Sequence, residues 1–135
     1  MIMSQSLAGP LQEGNKSLAL DFYELAFNQH KPTEAAQKYL SDQYVQHNPN
    51  HANGAEAFAI DFEKYLKAHP NYHVRFAHVF ADGDIVILHS HHQATENDLG
   101  RAIIDLMRVE NGKIVEHWDV VQAVPESTVS GNSMF

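Results

Sequence analysis

The sequence predicts an α+β domain, with helices first and antiparallel strands afterwards, and three observations carry that prediction. Apolar residues recur at helical spacing through the first half of the chain. From Tyr72 onward, strand-forming residues alternate with polar ones. Two of these alternating stretches fold back around short turn dipeptides, Asp82-Gly83 and Asn111-Gly112. One sheet face must then bury itself against the helices around a single core.

Residues 1–13 read as an N-terminal extension that lacks the basic start and continuous apolar stretch of a leader. From Asn15 to Asn28, Leu18, Phe22, Leu25 and Ala26 form the stripe of an amphipathic helix, and Pro32 follows its end. Pro32 suits the first turn of a shorter helix through Leu40, where its missing N–H is unneeded, with Ala35, Ala36, Tyr39 and Leu40 inward. "SDQYVQHNPNHANG" reads as an irregular stretch punctuated by Asn-Pro and Asn-Gly. A third helix, from about Gly54 to His69, presents Phe58, Phe62, Tyr65 and Leu66 before Pro70 stops it.

"YHVRFAHVFADGDIVILHSHHQA" and "RAIIDLMRVENGKIVEHWDVVQ" are the two β-hairpins. After Gly83, Ile85, Ile87, His89 and His91 share one face, while Val86, Leu88, Ser90 and His92 share the other. Both faces begin apolar, so one is expected to meet the helices and the other a second copy in a homodimer. Residues 125–135, "PESTVSGNSMF", form a tail that is polar until Phe135 and would fray unless docked.

A chain of 135 residues, 44% hydrophobic and 19% charged, fits one compact domain spanning 1–135. Nine basic against 17 acidic residues give a net charge of -8. Such a chain repels phosphate backbones and anionic membranes, and its scattered Lys and Arg form no basic stripe, so neither nucleic acid nor membrane is an expected partner. The absence of cysteine excludes disulfides, thiolate nucleophiles and cysteine zinc sites. No segment approaches ~18 apolar residues, which leaves the cytoplasm as the expected compartment. Ten histidines are the compositional anomaly.

The chemistry concentrates in "KIVEHWDVVQ", where His117 and Asp119 stand two positions apart on one strand. A two-residue Asn111-Gly112 turn would set Asp105 opposite Trp118. A three-residue loop with a bulge at Gly112 would set Asp105 opposite His117 and gather Ile103, Asp105, Met107, Val115, His117 and Asp119 on one face. The second register is preferred because clustered ionisable groups find partners, whereas isolated ones strand buried charge. Two carboxylates and an imidazole beneath helices would make a general acid–base site. A structural Asp–His pair is the plainer alternative. "YVQHNPNH" offers Tyr44, Gln46, His47 and Asn48 to a pocket mouth, or else is a surface turn. His47, His89, His91, His117 and Asp119 are conceivable metal ligands, but no compact motif such as H-E-x-x-H is present and no metal is expected. Phosphate-binding Gly-rich loops and the G-x-S-x-G elbow are also missing.

The order of helices and hairpins, with "YVQHNP", "FADGDIVILHSH" and above all "IIDLMRVENGKIVEHWDVVQ", resembles the SnoaL-like polyketide cyclases of the nuclear-transport-factor-2-like superfamily over about residues 15–124. It is more similar still to small bacterial SnoaL-like proteins described as predicted aldol-condensation enzymes, whose ending resembles "GNSMF". The resemblance implies a cone-shaped, curved antiparallel sheet, a half-barrel closed by helices around one pocket and dimerising through the sheet. It also implies cofactor-free aldol closure with Asp119 as general acid/base and His117 beside it. Asp105 falls where the cyclases carry a histidine, and "TENDLGRA" replaces their long apolar loop. A smaller carbonyl compound is therefore the expected substrate, bound by Phe22, Phe58, Phe62, Met107 and Trp118 where these face inward.

The expected activity is that of a lyase or isomerase needing no cofactor. Asp119 removes a proton α to a carbonyl, His117 and Asp105 tune it, and His47 or His89 bonds the enolate oxygen. Tyr44, Asn48, His91, Phe62 and Met107 complete the binding set. A non-catalytic carrier of a small ligand is the competing class, and a His/Asp metalloprotein the third.

Overall fold

In the computed structural model, which describes residues 2–135 and the side chains of 9–135, α1 (Ile2–Tyr23) runs into a π-helical turn, Glu24–Asn28. The helix expected from Asn15 thus begins upstream, and most of the expected N-terminal extension is helical, Pro10 included; Met1 lies outside the described residues. Helix α2 (Pro32–Tyr39) starts on its proline, as the fixed φ of that residue favours. Helix α3 spans Ala55–Ala68. Among the described residues no helix is long and apolar enough to cross a membrane.

Strands β2 (His73–Asp82), β3 (Ile85–Gln93), β4 (Arg101–Glu110) and β5 (Lys113–Ala123) form the two expected hairpins. A further strand, β1 (Leu40–Gln46), occupies most of the first half of the stretch expected to be irregular. It lies parallel to β5 at the end of a curved, open sheet ordered β1-β5-β4-β3-β2, so the sheet is mixed rather than wholly antiparallel. Only Leu40 and Tyr44 of β1 are buried, and the polar residues between them concealed it. An edge strand in a parallel pairing gets its partner from the tertiary fold, which a local pattern does not signal.

The second hairpin corrects the expected register. Asn111 and Gly112 both have positive φ, 53° and 74°, as a two-residue type I′ turn requires, and Glu110 pairs with Lys113. Val109 then faces Ile114 but Arg108 faces Glu116, so Val115 is an extra bulged residue. The bulge puts Asp105 opposite Asp119 and Met107 opposite His117. Ile114, not Val115, is the fully buried residue before His117. Asp105, Met107, His117 and Asp119 still share the inner face, because the observed register differs from the expected one by an even shift.

The core lies between that face and the helices. Phe22, Tyr23 and Phe27 pack with Val86 and Leu88 of β3, Met107 and Val109 of β4, and Ile114 of β5. The tail docks rather than frays: the Phe135 ring stacks on His91 at 4.4 Å and on His89 at 5.5 Å, across the outer face.

Candidate active site

A cavity of about 550 Å³ opens between the inner sheet face and the helices. Phe22, Phe27, Phe58, Phe62, Ile103 and Met107 give it apolar walls, while Asp105, His117 and Asp119 converge in it from β4 and β5. Asp105 is 1% exposed. An ionised side chain at that depth persists only with partners, and here they can be traced atom by atom.

The amide of Asn50 can only donate, and it meets Asn48 Oδ1 at 2.8 Å. The other end of the Asn48 side chain is therefore its NH₂, which donates to both oxygens of Asp119 at 2.7 and 3.0 Å. Likewise the Asn48 amide donates to Gln46 Oε1 at 3.0 Å. That oxygen must then accept from His117 Nδ1 at 2.7 Å, so Nδ1 carries a proton. The opposite nitrogen, Nε2, lies 2.7 Å from Asp105 Oδ1 and 3.8 Å from Asp119 Oδ2. One further proton sits between His117 and Asp105, on whichever side, and the pair is neutral as a unit. Asp119 stands beside that pair with its own donor and borders the cavity. Asp105 Oδ2 has no hydrogen-bond partner among the described residues.

Tyrosine hydroxyls complete this end of the cavity. Burial pushes the Tyr23 phenol well above its ordinary range, and neighbouring Asp105 pushes it further. Tyr44 is raised by burial and then by Asp105 and Asp119. Both therefore keep their protons at neutral pH. Because Tyr44 accepts from Gln46 Nε2 at 3.2 Å, its own proton remains available to a ligand.

Several sequence-derived candidates meet here: Asp119, His117, Asp105, Asn48, Tyr44, Phe62 and Met107 all line the cavity. Others do not. His47 turns outward, stacks on Trp118 at 4.8 Å and bonds Glu116 at 2.7 Å, so Trp118 does not face inward either. His89 and His91 stand on the outer face with Phe135, and His89 bonds His78 at 3.0 Å. Alternation divided β3 into its two sets correctly, but the inward set is Val86, Leu88, Ser90 and His92. Sequence reasoning assigned no role to Tyr23, Tyr72, His92 or Arg101, although all four line the cavity. Their available signal was parity, since Arg101 precedes Asp105 by four residues and His92 follows Leu88 by four.

Asp105, His117 and Asp119 offer ligand atoms within 4.8 Å of one another, so this set could hold a cation. A metal would require the Nε2 lone pair, and hence displacement of the proton shared with Asp105. His47, His89 and His91 are placed elsewhere and cannot complete that set.

Fold and site together define a pocketed α+β cone with acid–base groups on its sheet wall. A family model for SnoaL-like polyketide cyclases matches residues 17–126, and the chain belongs to that family. No curated protein matches the sequence. Among solved structures, a candidate polyketide cyclase from Bacillus cereus is 23% identical with a TM-score of 0.65, over 78% of this chain and 72% of that one. Another from Acidithiobacillus ferrooxidans is 17% identical with a TM-score of 0.70, over 81% and 88%. An epoxide hydrolase of the LEH-like type from M. tuberculosis is 16% identical with a TM-score of 0.68, over 84% and 86%. At these identities the likenesses establish the fold.

Proposed function

We propose that the protein is an acid–base enzyme that removes a proton α to the carbonyl of a small compound, for aldol-type closure or condensation or for isomerisation. The observation that carries this reading is the pair of carboxylates, Asp105 and Asp119, facing each other across β4 and β5 and both approaching Nε2 of one imidazole. Their environments differ, which is how two like groups acquire different roles. Asp105 is engaged by His117, whereas Asp119 borders the cavity and is held by Asn48.

Asp119 takes the proton from the α-carbon, and the electron pair of that C–H bond passes to the carbonyl oxygen as an enolate. Tyr44 O–H is the donor to that oxygen, in place of His47 and His89, which stand outside the cavity. Proton transfer leaves the net charge of the complex unchanged, so the buried site need not neutralise a new charge. The enolate then attacks a second carbonyl or is reprotonated elsewhere. The apolar walls and the volume of about 550 Å³ favour a small substrate.

Deuterium uptake at the α-carbon of small ketones, followed by proton NMR, tests this reading. The native protein should accelerate uptake, and Asp119→Asn should lower the rate roughly a hundredfold or more with the fold intact. Ligand binding without exchange, unaffected by Asp119→Asn, would mark a carrier instead.

A further inference from the structure

The cavity has a second polar end. Arg101 stands on the inner register of β4, four residues before Asp105, and lines the cavity with His92 and Tyr72. At about 3.3 Å per residue its Cα lies roughly 13 Å from that of Asp105. Between the two ends lie the apolar Ile103 and the rings of Phe58 and Phe62.

Three other basic side chains of the sheet have partners. Arg108 pairs with Glu110 and Glu116, Arg75 donates to Gln93 Oε1, and Lys113 donates to the carbonyl of Lys38. Arg101 makes no ion pair among the described residues, and its cross-strand partner on β3 is His92. His92 supplies no compensating charge: Tyr72 O–H and Ser90 Oγ occupy its two nitrogens, and burial with Arg101 nearby holds it neutral, its pKa pushed down to about 3. Lys64 and Asp61 of α3, both exposed, also border the cavity, and their opposite charges offset one another. Arg101 is exposed where it borders the cavity, so water solvates its charge in the empty site, and with no carboxylate at ion-pair distance among the described residues its guanidinium is free to take a ligand carboxylate in exchange for that water.

We infer that the substrate is an oxo acid, whose carboxylate is bound by Arg101 while its carbonyl end meets Asp119 and Tyr44. This rests on the acid–base reading for the carbonyl end; the carboxylate subsite stands or falls separately. The two ends impose direction, so that a short carbon spacer packs against Ile103 and the phenylalanines.

Three probes separate the parts: 5-oxohexanoate, its methyl ester, and hexanoate, which has no ketone. Titration calorimetry should show 5-oxohexanoate binding about tenfold more tightly than the ester, the worth of one charge-assisted contact. Arg101→Gln should erase that difference and Arg101→Lys retain part of it, with circular dichroism verifying the fold. Hexanoate should bind the native protein and Asp119→Asn alike, and Arg101→Gln about tenfold more weakly. Equal binding of acid and ester, an unchanged ratio in Arg101→Gln, or no binding of either acid overturns the inference. Arg101-dependent binding of hexanoate without α-exchange of 5-oxohexanoate upholds the carboxylate subsite while rejecting the acid–base reading. Equal binding of acid and ester, with exchange in both, does the reverse.

Discussion

Two side-chain amides decide the proton inventory of the site. Gln46 and Asn48 are each oriented by a backbone N–H, and each passes that orientation on, Gln46 to His117 and Asn48 to Asp119. Gln46→Leu should therefore release the His117 tautomer, seen in the imidazole nitrogen shifts, and slow exchange roughly tenfold with little change in KM. The conservative Gln46→Glu keeps an acceptor at Nδ1 and should retain the tautomer. His92 gives the pH dependence. Between its ordinary value of 6.5 and about 3, the unfolded chain binds a proton that the folded one refuses. Stability contributed by its neutral form is thus complete above pH 6.5 and declines as pH falls, by about 1.4 kcal/mol per unit in that interval. Urea midpoints measured across this range should fall less steeply for His92→Gln than for the native chain. These residues were only partly legible in the sequence. Asp105, His117 and Asp119 advertise themselves as charges in apolar strands, whereas an Asn or Gln in a polar stretch looks like any turn residue.

At the scale of elements, Val115 does what no side-chain chemistry could. The I′ turn at Asn111-Gly112 would by itself continue a register with Asp105 opposite Trp118, putting His117 and Asp119 on the face away from Asp105. One bulged residue returns them inward. The sequence carried the turn signal but not the bulge, since Val115 is as good a strand residue as its neighbours. Gly100, where the chain enters β4, is a second such constraint. Its φ is +73°, and a Cβ there would lie 2.1 Å from the His92 carbonyl oxygen. Gly100→Ala should cost about 2–3 kcal/mol in urea unfolding, from the left-handed backbone and the steric overlap together.

For the whole molecule, the outer sheet face is the surface through which two copies could assemble. Phe80 and Val120 are 57% and 72% exposed there, and Ile104 and Trp118 lie on the same side of their strands. A homodimer through this face is proposed, with the docked Phe135 beside it. Sedimentation should then give a two-chain species that Phe80→Lys with Val120→Lys reduces to a single chain, both carrying an unchanged cavity.

The sequence by itself determined the three helices, the two hairpins, and that His117 and Asp119 share one face of β5, because residues two apart on a strand stay together in any register. The tertiary structure decided the rest. It chose which face of β3 turns inward, set Asp105 beside His117 and Asp119 through the Val115 bulge, made a strand of Leu40–Gln46 by pairing it with β5, and brought Gln46 and Asn48 to the acid–base centre. Those outcomes depend on partners remote in the chain, and a local pattern of polar and apolar residues carries no record of them.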